Sequence, residues 1–415
     1  MIADAEPRAD DAERPLPVAE RVAALDVLRG FALLGIFIMN IPGFSHSMFA
    51  PPPPLDSLDA VVAALREVLF AGKFNLLFGL AFGVGFALQM GRLERLEAAR
   101  VAQRGGATRP GLAARIYLRR LSFLFAVGLV HAMLLWSGDV LLIYAVLGFA
   151  LLAIRRIDNR VLYALLALCL VFPALAEVLR GRVFPDGFDA IAAFQYQQLE
   201  ASNDLAFGHG SFLDAMRETA RIFDWSWRSP FGLFAYAAFF VQMATGILAG
   251  FILGRRGWPA RPLAGARAVW TTAALAIAGV LLEALAALFL PGDAGVFFAT
   301  LARTIGRASL SAFYAMAIVR VVGRRPALAP PWRWLALAGR MPLSNYLLQT
   351  ALASALFYGW GLGFWNTTGP ALETAIAVLL FCAVQLPLSA AWLTHFRQGP
   401  LEGLWRRFTY GAPAR

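Results

Sequence analysis

About ten stretches of roughly 20 predominantly apolar residues recur along this chain, and that is the length a helix needs to cross a bilayer's hydrocarbon core. In a chain of 415 residues they fall at roughly 27–48, 70–91, 117–137, 140–154, 161–179, 231–254, 267–291, 296–320, 335–358 and 371–395. Backbone polar groups in hydrocarbon must bond within their own segment, so each stretch is predicted to be helical. Charged residues make up 15% of the chain, against about 25% in soluble domains. A soluble globular enzyme, a disordered chain and a fibrous one are therefore excluded. The fold class predicted is all-α: a polytopic integral membrane helical bundle of about ten transmembrane helices.

The placement of arginine sets the orientation. The connection 92–116 carries Arg92, Arg95, Arg100, Arg104, Arg109 and Arg115, and Arg119 and Arg120 open the next span. Arg155, Arg156 and Arg160, then Arg255, Arg256 and Arg261, then Arg324, Arg325 and Arg333 mark later turns. Arg397, Arg406, Arg407 and Arg415 mark the C-terminal tail. With ten spans, all of these lie on the side of the N-terminal tail, and the alternate connections are poor in arginine. The positive-inside rule then predicts both termini to be cytoplasmic. The net charge of +11 reads as a cytoplasmic collar, and nucleic acid is not an expected partner. Four regions follow: a disordered polar tail at 1–20, a first transmembrane bundle at 21–179, an external loop at 180–230 and a second transmembrane region at 231–415. The loop carries amphipathic helices near 188–202 and 212–224. Cys169 and Cys382 lie far apart in apolar runs, and four scattered histidines form no metal motif, so neither disulfide nor metal is expected.

Ionisable groups inside spans are costly and are functional candidates by default. In the first span Asp26 and Arg29 are i,i+3 neighbours, and Asn40 shares the Arg29 face. The bland reading is an interfacial ion pair and a helix–helix hydrogen bond. Lys73, the only lysine, opens the second span, where Gly79, Gly83 and Gly85 permit close packing. Snorkelling is the plain account of Lys73. The third span carries Arg120 and His131 on one face, about 16 Å apart along the axis, with Asp139 in the turn beyond. A histidine beside a carboxylate is the minimum kit for general-base catalysis. A buried, satisfied histidine and a helix-capping Asp139 are the structural alternative. Arg303 and Arg307 stand at i,i+4 in the eighth span, with Glu283 as a possible partner. Asn345 and Gln349 stand at i,i+4 in the ninth, where interhelical bonding is the plain reading. Met341 and Pro342 mark a kink or a helix start. His46, His209 and His395 receive no role. Two polar depths result: a cationic cytoplasmic mouth suited to a phosphate-bearing donor, and an outer layer suited to chemistry on an external acceptor.

Four segments carry a family resemblance: LDVLRGFALLGIFIMNIPGF, GKFNLLFGLAFGVGF, LRRLSFLFAVGLVHAMLLWSGDVLLIYAVLGF, and GRMPLSNYLLQT with GPLEGLWRRFTY. Their order resembles the bacterial YeiB family, membrane proteins carrying domain of unknown function 418, over most of the chain except 1–20 and 180–230. That family is distantly similar to transmembrane acyltransferases, including heparan-α-glucosaminide N-acetyltransferase and the acyltransferase type 3 enzymes. The opening motif of those enzymes is matched by Leu25, Asp26, Arg29 and Gly30, with Arg21 at looser spacing. Type 3 enzymes place a histidine near the end of this helix, where this chain has Asn40. The resemblance implies an enzyme of the bacterial inner membrane that moves an acyl group from cytoplasmic acyl-CoA to an external sugar, lipid or envelope acceptor. His131 is then the expected base and Asp139 its orienting partner. Asp26, Arg29, Asn40, Lys73, Arg120, Arg303, Arg307, Asn345 and Gln349 are the expected binding residues, and membrane lipids are the surrounding partner. The rivals are a small-molecule or lipid transporter or flippase, and a non-catalytic assembly subunit whose His131–Asp139 pair is buried and satisfied with no pocket.

Overall fold

A computed structural model describes residues 23–49, 57–103, 111–183, 188–259, 265–286, 288, 292–322 and 329–411. The tail 1–20, Arg21 and the arginines at 104, 109, 261, 324, 325 and 415 lie outside the described residues. Every regular element among the described residues is helical. α1 (Ala23–Asn40) leads through the single turn α2 (Pro42–Ser45) to α3 (Ser57–Leu69) and the long α4 (Lys73–Gln103). α5 (Leu112–Leu134) and α6 (Leu141–Ile154) form a hairpin, followed by α7 (Asn159–Val183), α8 (Phe188–Asn203) and α9 (Phe212–Arg228). α10 (Pro230–Arg255), α11 (Gly265–Ala286) and α12 (Asp293–Val322) are long, and α13 (Pro330–Gly339) and α14 (Pro342–Phe357) are shorter. α15 (Pro370–Leu379) and α16 (Leu386–His395) are joined by a π-helical turn, and α17 (Pro400–Tyr410) closes the fold.

Eight of these helical stretches are long and apolar enough to cross a bilayer, and α6 is a shorter apolar helix. The chain is thus an all-α polytopic membrane bundle, with departures from the expected spans. The stretch expected at 335–358 is two helices, because Pro342 offers no N–H to continue α13 and instead starts α14. The first span stops at Asn40, before Pro42. The connection expected as a loop at 49–69 contains α3, whose Leu58, Val61, Leu65 and Leu69 recur at helical spacing and stay exposed. Gly72, at φ +73°, breaks the chain between α3 and α4, a backbone conformation that favours glycine. The two helices expected in the 180–230 loop are α8 and α9. Ser211 and Asp214 cap α9 reciprocally, each side chain bonding the other's backbone N–H.

Small residues set the tightest crossings, since helices in lipid gain by close backbone approach. Gly246, Gly250 and Gly254 recur every four residues on α10 and face α4 at Leu76, Leu80 and Val84. Gly79 and Gly83 of α4 reciprocate against Met243 and Ile247. Gly30 of α1 and Gly339 of α13 face the backbones of Leu335 and Asp26. Apart from Asp26, Arg29 and Asn40, α1 is apolar, and it packs at the centre with Val27, Leu28, Ala32, Leu33 and Phe37 fully buried. α7 and α11 lie at the periphery, where Leu168, Leu179, Trp270, Ile277 and Leu281 are exposed.

Candidate functional site

The arginines that open and close several helices converge. Arg29 of α1, Arg92 and Arg95 of α4, Arg120 of α5, Arg340 after α13 and Arg406 of α17 all line one cavity of about 480 Å³. Asp26 and Glu402 are the acidic residues among its walls. Further in, the walls are Leu33, Ile36, Phe82, Phe86, Leu124 and Leu141, and Tyr144 and Tyr346 reach it as well. On α4 the lining runs from Phe78 to Arg95, a rise of about 26 Å. The cavity is therefore a bore, cationic at one end and apolar-aromatic along its length.

The arginine end is held in place by its neighbours. Arg29 Nη1 donates to Asp26 Oδ1 at 3.2 Å, and Gly85 makes room for its guanidinium: a Cβ there would stand 2.9 Å from Nη2. Gly85 thus serves the cavity, whereas Gly79 and Gly83 serve packing. Arg120 lies over the Trp405 ring at 4.1 Å, a cation–π contact, and Trp405 Nε1 donates to the Arg120 carbonyl at 2.7 Å. Glu402 caps α14 from another helix: its Oε1 accepts from the N–H groups of Leu343 at 2.8 Å and Ser344 at 3.1 Å. Burial pushes the Glu402 carboxyl above the usual carboxylate range, against the pull of those donors. At the far end Tyr346 Oη accepts from the Val140 N–H at 3.3 Å.

His131 and Asp139 do meet, with Nδ1 and Oδ1 2.8 Å apart. However, Nε2 lies 2.9 Å from Thr350 Oγ1, and Asp139 Oδ2 accepts from the Leu142 N–H at 2.7 Å. Both residues are buried, and neither is among the lining residues of the two cavities described here. The pair is thus hydrogen-bonded inside the wall, with both ring nitrogens engaged, and lines neither of these two cavities.

A second histidine is placed differently. His46, at the end of α2, is half-buried, and its Nδ1 lies 3.2 Å from Oε1 of the buried Glu373. Ser45 Oγ donates to the same oxygen at 2.5 Å, and Arg66 Nη1 donates to Oε2 at 2.9 Å. With Nδ1 carrying the proton toward Glu373, Nε2 is left as the acceptor nitrogen. His46 lines a small cleft of about 10 Å³ with Trp136, Ser137 and Tyr358, room for about one water. Glu373 was not singled out from the sequence, although a lone carboxylate near the start of an apolar stretch is a usable signal.

The other expected binding residues separate. Lys73 is fully buried and pairs with Glu283 Oε1 at 2.7 Å, and it donates to the Glu67 carbonyl at 2.6 Å. Arg307 bridges Glu67 at 2.7 Å and Glu283 at 3.6 Å. These four form a charge-balanced knot away from the cavity, and Arg303 is exposed on α12. Asn345 bonds Ala338 O and Ser389 Oγ, and Gln349 bonds Leu33 O and Gln385 Oε1, as interhelical ties. Asn40 is half-buried and stands clear of the cavity. Of the expected set, the cavity gathers Asp26, Arg29 and Arg120. No group of three or more His, Cys, Asp or Glu able to hold a metal occurs among the described residues, and Cys169 and Cys382 are free thiols.

Fold and cavity together define a polytopic α-helical membrane protein with an arginine-lined bore. Residues 253–412 match the family described as "Protein of unknown function (DUF418)". The chain is 29% identical over 422 residues to "Uncharacterized protein YxaH" of Bacillus subtilis (strain 168), covering 96% of each. It is 28% identical over 416 residues to "Uncharacterized protein YeiB" of Escherichia coli (strain K12), covering 95% of this chain and 97% of the relative. It is likewise 28% identical over 402 residues to a 39.9 kDa protein of Bacillus acidopullulyticus. No solved structure matches. A multi-pass membrane location in a bacterium agrees with the long apolar helices and with these relatives.

Proposed function

We propose that the chain is an inner-membrane acyltransferase that takes its acyl group from acyl-CoA at the arginine end of the bore. The observation that carries this reading is the bore itself: six arginines at the mouth suit phosphates, and the apolar-aromatic walls behind them suit an extended arm and acyl chain. Its depth of about 26 Å along α4 leaves room to place a thioester well inside the bundle. By the placement of arginine, this mouth faces the cytoplasm.

On the acceptor side we assign the base to His46 rather than His131. His46 Nε2 accepts the acceptor's hydroxyl or amine proton, while Glu373 fixes Nδ1–H and stabilises the imidazolium that forms. The acceptor oxygen or nitrogen attacks the thioester carbonyl, the carbon–sulfur bond breaks, and CoA leaves as thiolate that takes a proton from water at the bore mouth, while the His46 imidazolium returns its proton to water. The acceptor is a hydroxyl or amine of a sugar, lipid or envelope molecule.

Binding of CoA, acetyl-CoA and palmitoyl-CoA to nanodisc-embedded protein tests the reading. Saturable binding is expected, weakened at least about tenfold by Arg120→Gln, in line with loss of a charge-assisted contact. No binding of any of the three overturns it. A transporter instead moves solute across vesicles without releasing CoA thiol.

A further inference from the structure

We infer that the short turn between α5 and α6 is a gate: a thin septum dividing the arginine-mouthed bore from the His46 cleft, latched by His131, Asp139 and Thr350. The same turn faces both compartments. Trp136 and Ser137 line the cleft, whereas Val140 and Leu141 line the bore. Ser137 and Val140 are three residues apart, so the compartments approach within about 11 Å there. α14 runs past the same barrier. Its Tyr346 lines the bore, Tyr358 just past its C-terminal end lines the cleft, and Thr350 between them joins the latch.

The latch ties three helices through one imidazole and one carboxylate. His131 comes from α5, Asp139 bonds the first turn of α6, and Thr350 comes from α14. The plug is aromatic: Trp136 stacks on Phe44 with ring centroids 4.8 Å apart. Its Nε1 is buried without a hydrogen-bond partner, which is a costly state for a donor. Such a ring is better satisfied when it swings toward the cleft or a polar ligand. The barrier thus consists of one side chain stacked on another, the two hydrogen bonds to His131, and two further ties of the turn: Tyr236 Oη donates to the Ser137 carbonyl at 2.9 Å and the Val140 N–H donates to Tyr346 Oη at 3.3 Å. A gate at this turn serves a transferase and a transporter alike, so its test reads the barrier and not the chemistry.

The experiment places a single cysteine, Leu141→Cys, on the bore face in a Cys169→Ser, Cys382→Ser background. Right-side-out and inverted membrane vesicles are then treated with a membrane-impermeant maleimide. With the latch intact, labelling is expected from the arginine side only. Adding Trp136→Ala is expected to raise labelling from the opposite side at least tenfold, while arginine-side labelling keeps its parental rate and so reports an intact fold. Thr350→Val, which removes only the latch hydroxyl, is the milder variant and is expected to raise it several-fold. Equal labelling from both sides in the parent overturns the proposal. So does opposite-side labelling that stays unchanged in Thr350→Val, or in Trp136→Ala with its arginine-side rate kept.

Discussion

Lys73 and Glu283 provide a double-mutant cycle whose outcome the structure fixes in advance. Their side chains meet at 2.7 Å and are 0% and 6% exposed. Lys73→Met strands the Glu283 carboxylate, leaving only Arg307 Nε at 3.6 Å. Breaking a buried ion pair from one side costs about 3–5 kcal/mol. Glu283→Leu strands Lys73, whose remaining tie is the Glu67 carbonyl at 2.6 Å, and is expected to cost about as much. Replacing both partners with apolar groups removes the desolvated charges together, so the double variant is expected within about 1–2 kcal/mol of the parent. The coupling energy is then about 4 kcal/mol or more, well above the few tenths seen between independent sites. At roughly 2 °C per kcal/mol for a large domain, each single variant loses about 6–10 °C in Tm while the double loses little. Heating detergent-solubilised protein and following the monodisperse fraction by size-exclusion chromatography measures all four species. Additive losses, with the double variant the least stable, would refute the reasoning.

Glu402→Ala is expected to cost about 2 kcal/mol or more by leaving the buried Leu343 and Ser344 N–H groups without an acceptor; chemical denaturation against Glu402→Gln, which keeps one oxygen, checks it. Because burial raises the folded-state pKa of Glu402, its contribution is fully present below the ordinary carboxylate pKa and is lost as pH rises through the raised value. A pH series should show that slope in the parent and not in Glu402→Gln. Gly339→Ala is expected to cost about 1–3 kcal/mol by overpacking, since its Cβ would meet the Asp26 carbonyl. Gly181→Ala, with open space around its Cβ on α7, should instead gain up to about 1 kcal/mol from helix propensity; paired melting curves distinguish the two.

What the sequence made legible follows from how local each signal is. Apolar length located the membrane helices, because hydrocarbon imposes one solution on the backbone. It overlooked α3 and α17, whose faces alternate and whose PPPP and Arg-Arg neighbours read as loop and tail. The pairing of His131 with Asp139 was legible because both sit within one helix and its turn. Their burial was one of the two readings the sequence offered; the partner that satisfies Nε2, Thr350, was not legible, because it arrives from a helix some 219 residues away. Arg92, Arg95 and Arg406 were legible as topology and not as a site, since convergence on one bore depends on which helices are neighbours. Glu373 and His46 are likewise separated by most of the chain, and only the fold brings them to 3.2 Å.

The central claim is that the arginine-mouthed bore holds an acyl-CoA, and photolabelling tests it most directly. A palmitoyl-CoA carrying a diazirine at the end of its acyl chain is irradiated with the nanodisc-embedded protein, and the labelled peptides are mapped by mass spectrometry. Labels are expected on α1 near Leu33 and Ile36, on α4 near Phe78 and Phe82, and on α14 near Tyr346, and excess unlabelled palmitoyl-CoA should remove them. Labels confined to the peripheral α7 and α11, insensitive to that competitor, would contradict the claim.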